Sequence, residues 1–186
     1  MQKEKRFDGR NVVFGVCSSI AAYKACDIVS ALVRGGARVS VIMTENACKL
    51  VSPRIFQTLS RNKVYVSMWE KIDEWKPEHI SLAESADLFL VAPATANIIG
   101  KFACGIADDM LTSTYLATKA KVLIAPAMNS NMLSHAAVRR NIETLRRDGA
   151  AFVGPDEGAL ACGAEGKGRL ASDEKILDAA WEALNG

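Results

Sequence analysis

The sequence has almost no excess charge of either sign, few aromatic residues and no long apolar run. Its 23 lysine and arginine residues nearly balance 21 aspartate and glutamate residues, so it lacks the basic footprint of proteins that bind nucleic acids or anionic membranes. Aromatic residues make up 6% of the chain, and no basic stretch is interleaved with them. No apolar run reaches the roughly 18 residues that a membrane-spanning helix needs. We therefore expect neither nucleic acid nor a membrane as a partner.

The cysteines also lack a pattern. None forms a Cys-x-x-Cys pair, and their number is odd, so the sequence predicts neither a disulfide framework nor a metal site. Residues 1–10 are charged and contain no apolar segment, which predicts no secretory signal. We expect a cytoplasmic protein in a reducing compartment. The five cysteines are Cys17, Cys26, Cys48, Cys104 and Cys162.

What the chain does contain is a regular alternation of apolar runs and helical stretches. Its 186 residues, of which 49% are apolar, fit a single domain over 1–186, with residues 1–10 as a disordered segment or an extension. Continuous runs rich in Val, Ile and Leu are typical of parallel strands that are buried on both faces. The sequence predicts an α/β fold, with a three-layer, doubly wound, mainly parallel sheet of the Rossmann-like type. The predicted strands are 11–16, 38–43, 87–92, 121–125 and 150–153, and the predicted helices are 20–34, 79–86, 97–117 with a break near Gly105, 134–147 and 172–184.

Two segments do not follow this alternation. Residues 63–77 carry Trp69 and Trp75 and are predicted to be irregular or an excursion at the edge of the sheet. Residues 155–169 are rich in glycine and are predicted to form a mobile surface loop.

Small or hydrogen-bonding residues follow four of the predicted strands. In open parallel sheets, ligands bind beyond the carboxyl ends of the strands. Four such turns at one edge indicate that this edge makes room for a ligand. The turns are residues 15–20, 44–46, 93–97 and 126–129.

The first turn, Gly-Val-Cys-Ser-Ser-Ile, has the features of a phosphate cradle. Small side chains let backbone N–H groups approach an anion, the following helix favours negative charge, and Ser18 and Ser19 can donate hydrogen bonds. The turn is neither a G-x-G-x-x-G motif nor a Walker A loop, which disfavours ordinary NAD proteins and P-loop ATPases. A plain helix cap at Ser18 or Ser19 is the structural alternative.

Two further residues are candidates for proton transfer. His79 is one of only two histidines, and histidine is the side chain best suited to proton transfer near neutral pH, although a lone histidine is more often structural. Cys162 lies in the glycine-rich segment beside Lys167 and Arg169, where positive charge favours the thiolate. A bystander cysteine is an equally open interpretation.

In this order and spacing, the motifs resemble those of the homo-oligomeric flavin-containing cysteine decarboxylases. The resemblance covers residues 11 to about 181 and is closest to the branch that acts in coenzyme A biosynthesis. It implies FMN as the cofactor, a small cysteinyl molecule as the substrate, and decarboxylation of 4′-phosphopantothenoylcysteine. It also implies a homo-oligomer, a trimer or a multiple of trimers, with flavin held between neighbouring subunits. The motifs are Gly-Val-Cys-Ser-Ser-Ile-Ala-Ala-Tyr-Lys at 15–24, His79-Ile80, Pro-Ala-Thr-Ala-Asn at 93–97, Pro-Ala-Met-Asn at 126–129, and Ala-Cys-Gly-x-x-Gly-x-Gly-Arg at 161–169.

The resemblance assigns roles to particular residues. His79 matches the active-site histidine, and Cys162 matches a proton donor in a substrate flap over residues 155–170. Asn129 matches the asparagine that holds the cysteinyl end of the substrate, and Ala161 and Lys167 are further substrate contacts. The flavin contacts implied in this way are Ser18, Ser19, Ile20, Thr44, Glu45, Asn46, Thr95, Ala96, Asn97, Ile98 and Ala127.

The sequence departs from the family pattern at two motifs. Thr95 and Ile98 stand where serine and a hydroxyl residue are usual, and the acid that normally follows Cys-Gly is replaced by Ala164, with Glu165 one place later. Two other functions remain open: oxidative decarboxylation of a peptide ending in cysteine, and a catalytically idle flavoprotein that serves as a regulatory subunit. Cys162 argues against the first, because only a reductive half-reaction needs its proton. A flavin prenyltransferase is a weaker alternative.

Overall fold

Six parallel strands form the central sheet. The computed structural model describes residues 5–69, 75–159 and 165–186. Within these ranges the strand order is β3-β2-β1-β4-β5-β6, which is the order of a doubly wound sheet made of two βαβαβ halves. The predicted fold class is confirmed. The strands are β1 Asn11–Val16, β2 Arg38–Met43, β3 Val64–Tyr65, β4 Leu88–Ala94, β5 Lys121–Pro126 and β6 Ala151–Phe152.

Helices cover both faces of this sheet, as the continuous apolar runs predict. All residues of β4 are buried, and they alternate between two cores: Leu88 and Leu90 lie in one, and Phe89 and Val91 lie in the other. A strand that must fill two cores has no polar face, which explains the absence of period-two alternation. The helices are α1 Ala25–Arg34, α2 Pro53–Ser60, α3 Glu78–Ser85, α4 Ala96–Ala103, α5 Met110–Ala117, α6 Ser130–Ser134, α7 Ala136–Arg147 and α8 Asp173–Asn185, with 3-10 helices at Ile20–Lys24 and Ala47–Lys49.

Most predicted elements are confirmed, and two helices were missed, α2 and the short α6. The region 97–117 is indeed two helices, α4 and α5, and Gly105 between them has φ +67°. In the described part of 63–77, Val64–Tyr65 form the short edge strand β3. Helix α2 was not predicted, although Ser52 caps it by accepting from the Arg54 N–H and Pro53 occupies its first position, a common start signal.

The prediction of a surface loop over 155–169 is wrong for the described residues. Two strands, β7 Asp156–Ala159 and β8 Glu165–Arg169, form an antiparallel hairpin. Gly168 lets the hairpin lie close to the backbone of Met128. A Cβ at Gly168, which has φ +144°, would lie 2.1 Å from the carbonyl oxygen of Met128. The Met128 N–H in turn donates to the Gly168 carbonyl at 3.0 Å. The hairpin is therefore fixed to the turn that follows β5.

The described part of the N-terminal extension is packed against α1 and α8. Phe7 is buried, its N–H donates to the Gly35 carbonyl at 2.7 Å, and its ring meets Trp181 edge-on. Arg6 adds an ion pair with Asp178 at 2.6 Å. In the described ranges, no helix has both the length and the apolar character needed to cross a bilayer.

Candidate active site

The four predicted turns lie side by side at the carboxyl edge of the sheet. Each backbone hydrogen bond between them extends the parallel ladder one step beyond the strands. The turns are therefore held at fixed spacing by the backbone. These bonds run from the Thr44 N–H to the Val16 carbonyl at 3.1 Å, from Cys17 to Pro93 at 3.3 Å and from Ala127 to Ala94 at 2.9 Å.

Side chains in these turns cap the helices that follow. Ser19 Oγ accepts from the Ala21 N–H at 3.4 Å, so the cap that the first turn predicted is Ser19. Thr95 Oγ1 and Asn129 Oδ1 take the same role, and Thr44 Oγ1 accepts from the N–H of Ala47, the first residue of the 3-10 helix Ala47–Lys49. A hydroxyl that accepts from a backbone N–H still carries its own hydrogen and can donate it to a ligand. Capping and ligand binding are therefore compatible at these residues.

Two adjoining cavities open between the turns, and they share Ser18 and Thr95. The large cavity has a volume of about 720 Å³, and the small cavity has a volume of about 260 Å³. Every residue predicted to contact flavin lines one of them. The large cavity is lined by Ser18, Ser19, Ile20, Thr95, Ala96 and Ala127, and the small one by Ser18, Thr44, Glu45, Asn46, Thr95, Asn97 and Ile98. Asn129, the predicted substrate contact, also lines the large cavity.

Of the other predicted residues, His79 and Lys167 are not brought to these cavities. His79 lies half-buried in the first turn of α3 and lines neither cavity. Lys167 also lines neither: its side chain is 70% exposed and pairs with Glu157 at 3.2 Å. Ala161 and Cys162 lie outside the described residues. The roles predicted for these four residues stay predictions.

The structure adds residues that the sequence analysis missed. Tyr23, Lys24, Met132 and Arg169 also line the large cavity. Lys24 is the last residue of the motif at 15–24, and Arg169 is the last residue of the motif at 161–169. Their positions in these motifs could have identified them from the sequence.

A charged cluster lines one wall of the small cavity. Lys101 Nζ lies 2.7 and 2.8 Å from the two carboxylate oxygens of Asp108 and 3.7 Å from Oδ2 of Asp109. The hydrogen bond between Lys101 and Asp108 raises the pKa of the lysine and lowers the pKa of the carboxyl group. Asp109 also caps α5 by accepting from the Thr112 N–H at 2.8 Å. The cluster is thus tied to the start of α5.

Cys17 lines the small cavity, but its thiol is unreactive at neutral pH. Its side chain is 1% exposed, and burial raises the pKa of its thiol from 9.0 to about 12. At neutral pH it stays protonated, so it is neither a nucleophile nor a proton acceptor.

The residues of the two cavities fit a flavin mononucleotide. Ile20, Ala96, Ala127 and Met128 give the large cavity an apolar lining suited to a planar ring. Hydroxyl and amide side chains in the small cavity suit a ribityl chain. The backbone N–H groups at the starts of the 3-10 helix Ile20–Lys24 and of α4 can donate to a phosphate.

A ligand-binding cleft between β1 and β4, where the strand order reverses, defines a nucleotide-binding α/β protein of the doubly wound class. More narrowly, the chain belongs to the Flavoprotein family, whose model matches residues 1–185. The family resemblance seen in the sequence motifs is confirmed.

Relatives of known name are similar over nearly the whole chain. The coenzyme A biosynthesis bifunctional protein CoaBC of Bacillus subtilis (strain 168) is 55% identical over 170 residues, which are 91% of this chain and 42% of that protein. The CoaBC protein of Borreliella burgdorferi is 43% identical over 90% of this chain and 43% of its own length. The chain thus spans about two fifths of the curated relatives that it matches.

Solved structures match the fold. The FMN-dependent cysteine decarboxylase SpaF superposes with a TM-score of 0.84 at 32% identity, and the match covers 97% of this chain and 99% of SpaF. A PPC decarboxylase mutant complexed with pantothenoylaminoethenethiol gives a TM-score of 0.83 at 25% identity, covering 95% and 99% of the two chains.

Proposed function

We propose that this chain is an FMN-dependent carboxy-lyase that converts 4′-phosphopantothenoylcysteine to 4′-phosphopantetheine in coenzyme A biosynthesis. The observation that carries the proposal is that every predicted flavin contact, together with Asn129, lines one of two adjoining cavities. The similarity to the CoaBC proteins and to the PPC decarboxylase structure supports the choice of substrate.

In this proposal the small cavity and the turn at Ser18 hold the ribityl phosphate of FMN, and the large cavity holds the ring beside the substrate. A cysteine carboxylate has no electron sink next to its α-carbon, so its direct decarboxylation is unfavourable. FMN, when bound, supplies the acceptor for the hydride that oxidises the thiol-bearing carbon. The C=S group so formed is β to the carboxylate and delocalises the electrons that carbon dioxide leaves behind.

Asn129 orients the cysteinyl end of the substrate in this proposal. Its Oδ1 accepts from the Asn131 N–H at 2.8 Å, which fixes the side chain at the start of α6, on the wall of the large cavity. A carboxamide held in this way can position the substrate without adding charge. In the reductive half-reaction that yields the saturated thiol, Cys162 supplies the proton, and the hydride taken up in the oxidative step would be returned from the flavin.

The position of His79 supports a homo-oligomeric site. His79 is proposed to act on the thiol or on its carbon-bound proton, yet it lines neither cavity of its own chain. Ile20 and Tyr23 at the large cavity are 65% and 61% exposed, so a neighbouring subunit has apolar surface to cover there. We propose a trimer, or a multiple of trimers, in which flavin lies between subunits and His79 reaches a neighbour's cavity.

The test is anaerobic incubation of the FMN-loaded protein with 4′-phosphopantothenoylcysteine and, in parallel, with a peptide ending in cysteine. We expect carbon dioxide loss, scored by mass, from the phosphopantothenoyl compound alone. Turnover of the peptide alone would favour the peptidyl-cysteine decarboxylases. A colourless protein that cannot be reconstituted with FMN would refute the cofactor assignment.

A further inference from the structure

The charged residues that line the large cavity are all cations. Lys24 and Arg169 line it, and none of its described lining residues is acidic. We propose that Lys24 and Arg169 bind the phosphate group at the end of the substrate remote from the cysteine, and so select a phosphorylated substrate. This inference rests on the proposed function and extends it to substrate specificity.

The two cations come from separate elements that meet at the cavity. Lys24 is the last residue of the 3-10 helix after β1, and Arg169 is the last residue of β8. The guanidinium of Arg169 lies along the hairpin, since a Cβ at Gly158 would be 3.3 Å from its Nη1. The contact between Gly168 and Met128 fixes this strand end beside Asn129. The strand end that carries Arg169 is therefore held at a fixed position relative to the residue that holds the cysteinyl end.

Neither cation is paired with an acidic side chain in the described ranges. None of the ion pairs found within 4.0 Å among the described residues includes Lys24 or Arg169. The charge of Lys24 acts on the carboxyl group of Asp173, whose pKa is raised by burial and by Asp27. Asp156, the carboxylate whose pKa the charge of Arg169 helps to lower, is bound by Lys175 at 2.7 Å and by the Ser172 N–H at 3.2 Å. Two cations at one cavity repel each other unless an anion lies between them.

The small cavity has the opposite charge. Glu45, Asp108 and Asp109 line it together with a single lysine, Lys101, which is already paired with Asp108. A dianion at the small cavity must be held by the backbone N–H groups and hydroxyls of its turns, as proposed for the FMN phosphate, whereas the large cavity offers two side-chain cations to a second dianion. The positive charge of the large cavity therefore favours binding of the substrate phosphate there, away from the wall that Asp108 and Asp109 form.

The chemistry decides which substrate anion the two cations hold. The carboxylate leaves as neutral carbon dioxide, so cations clamped on it would stabilise the ground state and slow the reaction. The phosphate is unchanged by the reaction, and binding it equally in ground and transition states lowers KM without lowering kcat. A peptide ending in cysteine has no such group. The pair would therefore also discriminate against peptide substrates.

The experiment compares 4′-phosphopantothenoylcysteine with pantothenoylcysteine, which differs only in lacking the phosphate, in wild type, Lys24→Met and Arg169→Met. Loss of one charge-assisted contact is expected to lower kcat/KM for the phosphorylated substrate about 10- to 100-fold. The loss should appear in KM, with little change for pantothenoylcysteine. Lys24→Arg and Arg169→Lys, which keep the positive charge, should retain most of the wild-type kcat/KM for the phosphorylated substrate. Lys119→Met, which removes an exposed charge in the segment that leads into the amino end of β5, is the matched control.

A binding measurement makes the outcome independent of turnover. Calorimetry on the FMN-loaded proteins, with 4′-phosphopantothenate and pantothenate as ligands, should show a preference for the phosphate in wild type that both methionine variants lose. Equal losses of kcat/KM for both substrates would mean that the two cations hold the carboxylate. A lower FMN content in the variants would mean that the cations are flavin ligands. Either result overturns the inference. If wild type turns over neither compound, the proposed function fails, while a phosphate preference by calorimetry would still support this site.

Discussion

Gly168 and Met128 are in direct backbone contact. The Met128 N–H donates to the Gly168 carbonyl at 3.0 Å, and a Cβ at 168 would lie 2.1 Å from the Met128 carbonyl oxygen. This contact joins the hairpin that contains Arg169 to the turn that contains Asn129. It fixes two walls of the large cavity relative to each other, so the cavity depends on residue 168 having no side chain.

Gly168→Ala tests this dependence. The new methyl group would force β8 away from the turn, and the backbone at φ +144° adds strain of about 1–3 kcal/mol. We expect a lower free energy of unfolding and a loss of kcat/KM of at least tenfold, measured by denaturant titration and steady-state kinetics. Gly149→Ala is the control: it also has positive φ, but nothing lies within 4 Å of its Cβ position. If both variants lost activity equally, the contact with Met128 would not matter for the site.

The same glycine shows where sequence reasoning reached its limit. The strands were predictable because burial on both faces leaves a continuous apolar run. A glycine that permits close approach and a glycine in an open loop look identical in sequence, so the sequence predicts a loop where the structure has the hairpin β7–β8. The turns at Ser18 and Thr95 were placed correctly because parallel strands align their carboxyl ends. The position of His79 relative to the cavities depends on how α3 packs, which no local pattern encodes.

Thr95 connects the two cavities and should contribute to flavin affinity. Its Oγ1 caps α4 by accepting from the Ile98 N–H at 3.3 Å, and its hydroxyl lines both cavities. Thr95→Val should destabilise the fold by about 1 kcal/mol through the lost cap and weaken FMN binding about tenfold through the lost donor. Denaturant titration and flavin fluorescence measure the two effects separately.

The control for Thr95 is another helix cap away from the cavities. Ser52 Oγ accepts from the Arg54 N–H at 3.3 Å at the start of α2 and lines neither cavity. Ser52→Ala should lose similar stability and keep its affinity for FMN. Equal weakening of FMN binding in both variants would show that capping alone, and no contact with the cofactor, accounts for the role of Thr95.

Cys17 should make stability depend on pH in the alkaline range. Burial raises the pKa of its thiol from 9.0 to about 12 in the folded protein, so the unfolded chain loses this proton first. The unfolding free energy is therefore unaffected below about pH 9 and falls as pH rises toward 12, by at most about 1.4 kcal/mol per pH unit from this group. Burial also raises the pKa of Cys26, Cys48 and Tyr115, so chemical denaturation across this range should show a steeper slope in wild type than in Cys17→Ala. An identical slope in both would assign it to other groups.

His79 gives the sharpest test of the oligomeric site. His79→Asn should abolish turnover and leave FMN bound, because the side chain lines neither flavin cavity of its own chain. Asn129→Asp should also abolish turnover, since it places a negative charge where the substrate carboxylate is held. If His79 acts in a neighbour's cavity, unfolding and refolding the two inactive variants together creates sites with intact His79 from one chain and intact Asn129 from another.

Activity should then return to a substantial fraction of wild type in the mixture, and stay absent when either variant is refolded alone. The fraction should rise and fall with the mixing ratio and be greatest near equal amounts. Size-exclusion chromatography would verify that the mixture assembles as wild type does. Assembled mixtures with FMN bound and no recovered activity at any ratio would mean that both residues serve the same chain's site, and α3 would then have to move toward its own cavity during turnover.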